Sequence, residues 1–358
     1  MEFNRYLRQT NLADFGPQAQ QKLKDARILV IGAGGLGTPV LSYLNAMGVG
    51  TLGIIEEDVI ELTNLQRQVL YTEADVGKSK LPTLVAHLKS QNSATHFISF
   101  DTFLNRDNAL KIISCFDLVI DGSDNFATRY LVNDACVILK KPFVSGAIQG
   151  FEGQLSVYNY LGGPTYRCLF PNMPSPNEIP NCNVNGVLGV IPGIIGSLQA
   201  LEAVKIVTQI GEVMAGKLLL FNGLMHSFQT VKFKANPENI NITELKSSYG
   251  KDSCDAIPTI SSEAFLKLME ANSKIQLIDV RTKEEFKNDK QAVVRAINIP
   301  LDELLEVPLG MDPDTPIYLV CQSGKRSRIA LKLLDKKYEN LSFYNVEGGM
   351  NKIWMHQE

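Results

Sequence analysis

The sequence predicts an α/β protein, a mostly parallel sheet flanked by helices followed by a smaller α/β domain. Three observations carry this. Short apolar strands alternate with helical stretches from Leu23 to about Asp124, the alternation lapses in a polar stretch between about Lys232 and Ile257, and it then resumes for about 100 residues. With 358 residues the chain can bury two cores. Apolar residues make up 45% and charged residues 20%, which excludes a disordered or fibrous chain. A net charge of −3 and the lack of a Lys/Arg run leave no footprint for nucleic acid.

Met1-Glu2-Phe3-Asn4-Arg5 does not begin a charged-then-apolar leader, so a cytoplasmic protein is expected. Cys115, Cys136, Cys168, Cys182, Cys254 and Cys321 are dispersed without paired spacing, which argues against a disulfide scaffold. The strands of the first domain are ILVIG at 28–32, TLGIIE at 51–56 and DLVIDG at 117–122, interleaved with helical stretches at Leu81–Leu88 and Asn108–Ile113. Strand-like runs broken by glycine follow at 143–158, and LLLFNG at 218–223 continues the sheet. The uncharged stretch Cys182–Leu201 has the length of a membrane span, but four glycines, Pro192 and several amides interrupt it. A buried helix after a loop is expected, and no membrane contact. The polar stretch sets a first domain at 1–245, a linker at 246–256 and a second domain at 257–358, whose strands are IQLIDV, VVRAINIP, IYLVC and LSFYNV.

The first strand runs into Gly32-x-Gly34-Gly35-x-Gly37. Glycines there permit a tight turn and close backbone approach, and the helix that follows offers unpaired N–H groups to phosphate, a Rossmann-like arrangement. Glu56, at the end of the second strand, is placed to bond a ribose hydroxyl. So far NAD fits as well as ATP, and a nicotinamide-dependent oxidoreductase with an appended docking domain is the alternative reading. Asn64-Leu65-Gln66-Arg67-Gln68, Lys80 and Asp124 shift the balance. Hydride transfer needs no such cluster, whereas attack on an α-phosphate needs cations for the triphosphate and a carboxylate for Mg²⁺. Read singly, Arg67 and Lys80 are solvated helix charges and Asp124 an N-cap.

These residues resemble the MoeB/ThiF adenylyltransferases, relatives of ubiquitin-activating enzymes. The likeness spans residues 5–235: Arg5-Tyr6-x-Arg8-Gln9, GAGGLG, the NLQRQ run downstream of Asp58, VGKSK, DGSDN and GVLGVIPGIIGSLQALEAVK. It implies that Arg67 and Lys80 hold phosphates, Asp124 binds Mg²⁺, Glu56 takes the ribose where the family usually has Asp, and Asn64 and Gln68 complete the pocket. It also implies a homodimer, with Arg8 reaching the neighbouring subunit's ATP site, and a substrate that is the C-terminal Gly-Gly carboxylate of a ubiquitin-like sulfur carrier. Members of that family commonly hold a structural zinc through two CxxC pairs. Here the first survives only as Thr165-Tyr166-Arg167-Cys168, and the second, around Asn236–Ile242, has no cysteine, so no zinc is expected and Cys168 reads as a small hydrophobe. Cys182 lies in PNMPSPNEIPNCNVN, an exposed loop by composition. Exposure favours reactivity, although an exposed thiol can also be inert. By the likeness, this cysteine forms a transient acyl or disulfide link to the carrier.

Tyr318-Leu319-Val320 is a strand ending at Cys321, and Arg326–Leu331 opens a helix. Inward-facing N–H groups, Lys325, Arg326 and the helix dipole should favour a thiolate able to hold a persulfide. Tyrosine-type phosphatases also place a cysteine here, but Cys321 to Arg326 is one residue shorter than their C-x5-R. The arrangement resembles a rhodanese domain over about residues 257–354, through Leu277–Arg281, Ala296–Leu301 and Glu347-Gly348-Gly349 with Trp354. Docking-only rhodanese folds usually lack the cysteine; its presence points to activity, while the usual Gly-His is replaced around Gln291–Arg295. His87, His96, His226 and His356 share no spacing and none is expected to be catalytic. The expected protein therefore adenylates a sulfur carrier with ATP and Mg²⁺. It then passes sulfur from a Cys321 persulfide, loaded by a donor such as a cysteine desulfurase, to make a thiocarboxylate. Molybdopterin synthesis, thiamin synthesis and tRNA thiolation all use such carriers.

Overall fold

The run Arg27–Ile31 buries four consecutive residues, which suits a strand covered on both faces, and it forms β1 in the interior of the first sheet. The computed structural model describes residues 5–174, 186–249, 258–271, 275–288, 296–338 and 340–355. Two compact units divide the chain, Met1–Lys251 and Asp252–Glu358.

In the first unit β2 (Thr51–Ile55), β3 (His96–Phe100), β4 (Leu118–Asp121) and β5 (Phe143–Gln149) are parallel with β1, and β6 (Glu152–Tyr158), β7 (Lys217–Asn222) and β8 (Ser227–Lys232) extend the sheet antiparallel. The order is β3-β2-β1-β4-β5-β6-β7-β8, so the chain reverses direction of growth between β1 and β4. Crevices open at such a reversal, outside the carboxyl ends of the strands. Alternate residues of β1 feed opposite cores: Ile28 and Val30 join Val40, Leu41, Leu44 and Leu84 on one face, Leu29 and Ile31 join Ile113, Val119 and Tyr130 on the other. The helix Val190–Thr208 lies across β5 and β6 and against the helix Gly37–Ala46. Gly196 permits that crossing, since a Cβ there would sit 2.5 Å from Pro39 Cγ. β8 lies outside every sequence-predicted run, because its edge position leaves five of six residues exposed and erases the alternation.

A lobe formed by Thr165–Leu169 and Pro237–Ile240 occupies the place where metal-binding cysteine pairs would be expected. No group of metal-ligating side chains is present among the described residues. Cys168 is more than the apolar remnant expected of it: its sulfur accepts hydrogen bonds from Thr165 N and Asn236 N at 3.4 and 3.2 Å. Beside it, Arg167 forks onto Asp134 at 2.6 and 2.8 Å, with both side chains buried. Tyr249 donates its hydroxyl to the same carboxylate at 2.9 Å. The segment read as linker from residue 246 therefore begins as part of the first unit. Its one aromatic residue is drawn inward because Asp134 has lone pairs to satisfy there.

The second unit is an all-parallel sheet ordered β11-β10-β12-β13-β9, from β9 (Thr259–Ile260), β10 (Gln276–Asp279), β11 (Ala296–Asn298), β12 (Ile317–Val320) and β13 (Phe343–Val346). β12 buries all four of its residues, Ile317–Val320, and β10 buries Leu277, Ile278 and Asp279, as a sheet covered on both faces requires.

Replacing Arg167 by Leu strands the buried Asp134 carboxylate, and the urea-unfolding free energy of the first unit should fall by about 3–5 kcal/mol in a circular-dichroism melt. A loss under about 1 kcal/mol would show that the pair does not hold the lobe.

Candidate functional site

β1 stops because both neighbours pin its end: Gly32 N donates to Ile55 O and Gly122 N to Ile31 O, each at 2.9 Å. Gly32 then turns with φ +89°, and the next helix starts so close that a Cβ on Gly37 would lie 1.9 Å from Gly32 O. Over this loop lie side chains from elsewhere. Gln68 Nε2 stands 3.7 Å from the position a Gly34 Cβ would take, and Arg67 Cγ and Pro192 Cβ are 3.4 and 3.1 Å from that of Gly35. Gln68 is buried and its Oε1 has no hydrogen-bond partner. Its neighbour Asn64 is buried too, its Oδ1 accepting from Glu61 N at 3.2 Å, and its carbonyl takes Gln68 N at 2.9 Å.

Glu56 does more here than reach for a ribose. Its Oε2 accepts from Ala33 N at 2.8 Å, and its Oε1 from Glu57 N and Asp58 N at 2.9 and 2.8 Å. A glutamate is one methylene longer than the expected family aspartate, and the extra reach carries it back to the glycine loop. Of about four lone-pair sites on a carboxylate, one is left for a ligand. Burial pushes this carboxyl up from the ordinary range while Lys80 pulls it down. Lys80 is no solvated helix charge: it is 5% exposed, with Nζ 3.2 Å from Asp58 Oδ2.

Asp124 is exposed on the loop after β4, and the N-cap is its neighbour Asn125, whose Oδ1 accepts from Thr128 N at 2.8 Å. The residue that sequence reading passed over is Asp121, the first acid of DGSDN. Fully buried, it accepts from Ser123 N and Oγ at 3.0 and 2.6 Å and from Ser145 Oγ at 2.9 Å, while Gln199 Nε2 donates to its carbonyl at 2.8 Å. Asp121 shapes the loop, and Asp124 is left facing solvent beyond the end of β4. Arg8 is exposed on the helix Leu7–Thr10. Cys182 lies outside the described residues.

In the second unit Cys321 follows β12 and has no exposed surface. Its carbonyl accepts from Met350 N at 2.8 Å, and a Cβ on Gly349, which has φ +56°, would lie 2.1 Å from that oxygen. The Gly-Gly turn is thus a steric condition for seating the nucleophile. Arg281 is clamped on Asp279, both buried, and reaches Gln322 Oε1 at 3.3 Å. Arg326, expected to face the thiol, is instead held in two 2.7 Å bonds by Glu285, because the helix Lys283–Asn288 brings a carboxylate of matching geometry beside it. The side chain of Lys325 lies outside the described residues. What does touch the sulfur is Ser327, whose Oγ is 3.5 Å from Sγ. The only hint of it in sequence is its place just after the loop arginine.

A glycine loop at the strand reversal, roofed by Arg67 and Gln68, and a separate loop seating a cysteine define a nucleotide-dependent transferase joined to a sulfur-handling module. The comparisons agree. Residues 6–242 match the ThiF family and residues 261–356 the Rhodanese-like domain. The chain is 39% identical to "Adenylyltransferase and sulfurtransferase MOCS3" of Aedes aegypti, over 99% of this chain and 87% of that protein. Among solved structures, E. coli MccB with MccA-N7isoASN aligns with a TM-score of 0.60 at 22% identity, covering 67% of this chain and 74% of the other. E. coli MccB with ATP gives 0.56 at 24%, covering 65% and 73%. At these identities the structures establish the fold alone. The chain belongs to the ThiF family and carries a rhodanese-like domain; it is an adenylyltransferase and sulfurtransferase.

Glu285 is held at about 2 by Arg326, against an ordinary 4.5. A depressed carboxyl stabilises the fold above its unfolded value, so this contribution should be lost as pH falls from 4.5 toward 2. Trp354, the one tryptophan, reports the second unit. In Glu285→Gln its fluorescence-detected unfolding midpoint should be lower at neutral pH and flatter across that acid range; an unchanged acid limb would remove the pair from the account.

Proposed function

We propose that the enzyme adenylates the C-terminal Gly-Gly carboxylate of a ubiquitin-like sulfur carrier and converts it to a thiocarboxylate. A carrier carboxylate oxygen attacks the α-phosphorus of ATP, the bond to the β-phosphate oxygen breaks, and pyrophosphate leaves. Arg67 and Lys80 neutralise the phosphates, and Lys80 must turn from Asp58 to do so. Gln68 Oε1 and Asn64 line the pocket, and the remaining lone pair of Glu56 receives a ribose hydroxyl. Mg²⁺, held by Asp124, would supply charge neutralisation at the leaving phosphates. The observation that carries this reading is the buried cation at Lys80 near a glycine loop that has no room for a side chain at Gly37, which suits a triphosphate. The ATP complex of the structural neighbour MccB supports the choice of nucleotide.

For the sulfur half, a persulfide donor such as a cysteine desulfurase loads Cys321, and the outer sulfur then stands about 2 Å beyond the buried Sγ. That sulfur attacks the acyl-adenylate carbonyl and AMP departs. A second thiolate, for which Cys182 is the candidate, attacks Cys321 Sγ. The thiocarboxylate leaves with the electron pair of the broken S–S bond, and an external dithiol reduces the resulting disulfide. We place the enzyme in the cytoplasm as a homodimer in which Arg8 completes the neighbouring ATP site. Free thiols at Cys115, Cys136, Cys168 and Cys321 suit a reducing compartment. Among molybdopterin, thiamin and tRNA-thiolation routes, the MOCS3 relatives favour the molybdenum-cofactor route. No structural zinc takes part in this reading.

Labelled pyrophosphate should exchange into ATP only when carrier is present. Asp124→Ala should cut exchange by about 100-fold or more, while Cys321→Ala should keep exchange and yield no thiocarboxylate by mass spectrometry. Carrier-independent exchange, or thiocarboxylate from Cys321→Ala, would refute the corresponding half. Dialysis against a zinc chelator should leave the thermal midpoint unmoved, and a drop would expose a metal that the lobe depends on.

A further inference from the structure

The hydroxyl behind the nucleophile has one proton and two neighbours. Ser327 Oγ lies 3.5 Å from Cys321 Sγ and 2.6 Å from Asn345 Oδ1, and all three side chains are fully buried. Their positions are fixed by the fold. Asn345 is on β13, in register with Leu319 of β12, and Ser327 stands in the first turn of the helix Lys325–Lys337 that follows the cysteine loop.

With its amide oxygen toward Ser327, Asn345 takes the hydroxyl proton, and its own Nδ2 is left without a partner. The sulfur can then only give a proton to Oγ, which suits a neutral thiol. Turning the amide over places Nδ2 on Oγ as donor and frees the hydroxyl proton for Sγ. The unpartnered atom becomes a carbonyl oxygen, which buried sites tolerate better than a bare N–H. This second arrangement suits a sulfur carrying negative charge, to which a hydrogen bond is stronger than to a neutral thiol.

We propose that Asn345 is a positioning residue for sulfur transfer, directing the Ser327 hydroxyl at Cys321 Sγ when that sulfur is a thiolate, as it is when it attacks the donor persulfide and again when a nucleophile takes its outer sulfur. The proposal rests on Cys321 being the sulfur-carrying thiol. Cyanide isolates the second of these steps: its carbon attacks the outer sulfur of the persulfide, the S–S bond breaks, thiocyanate leaves, and the electron pair stays on Sγ.

The full-length protein is loaded with inorganic polysulfide and thiocyanate release is followed, with Cys321→Ala giving the background. Asn345→Asp presents only acceptors to Ser327 when ionised, and the rate at saturating cyanide should fall about ten-fold with the half-saturating cyanide concentration unchanged. Ser327→Ala should fall similarly and Ser327→Thr should restore the rate. In the double variant Asn345→Asp with Ser327→Ala, the rate should be no lower than in Ser327→Ala alone, because the asparagine acts only through the hydroxyl. Should Asn345→Asp fail to fold, a wild-type rate in Ser327→Ala overturns the proposal by itself, since the asparagine acts only through that hydroxyl. A wild-type rate in the Asn345 variant, or two losses that multiply in the double variant, overturns the proposal. Failure of wild-type Cys321 to load overturns the sulfur-carrying role as well.

Discussion

The first unit depends on one close approach, the start of the helix Gly37–Ala46 against the carbonyl of Gly32. A methyl group at Gly37 would fall inside that oxygen, so any side chain there would push the helix off the sheet and its N–H groups away from the crevice. The rest of the site is arranged around that contact. Gly122 N and Gly32 N hold the end of β1 from both sides, Glu56 ties the loop to the end of β2, and Arg67, Gln68 and Pro192 cover it.

Carboxylates divide into those that build and one that is left free. Glu56 and Asp121 are buried and spend most of their lone pairs on backbone N–H and hydroxyl donors, which shapes the loops after β2 and β4. Asp124 is left exposed by that arrangement and is the acid open to a ligand. The second unit repeats the logic with cations. Asp279 and Glu285 claim Arg281 and Arg326 in ion pairs, and the hydroxyl in contact with Cys321 Sγ is that of the neutral Ser327, with Asn345 behind it. A buried ion pair such as Arg281–Asp279 adds little net stability over apolar packing, but breaking it is costly, so it fixes geometry.

The lobe at Thr165–Leu169 is tied together by hydrogen bonds and a buried ion pair. One sulfur is a hydrogen-bond acceptor between two segments, and the buried Asp134 carboxylate gathers Arg167 and Tyr249 from two segments further along the chain. Such a network needs good geometry at every member, because each unpaired polar group in it would be penalised.

By itself the sequence determined what is local. Strand and helix order followed from periodicity, the phosphate turn from glycine sterics, and Cys321 from its strand–loop–helix setting, since each signal spans only a few neighbouring residues. Only tertiary structure decided which acid is scaffold and which is free, why Arg326 pairs with Glu285, why β8 joins the sheet and why Tyr249 belongs to the core. Those outcomes turn on partners far apart in the chain, such as Asp121 with Ser145 and Gln199, Glu285 with Arg326, and Asp134 with Arg167 and Tyr249. A side chain's role there is set by whichever distant donor folding brings within hydrogen-bond reach, and a list of residues does not contain that distance.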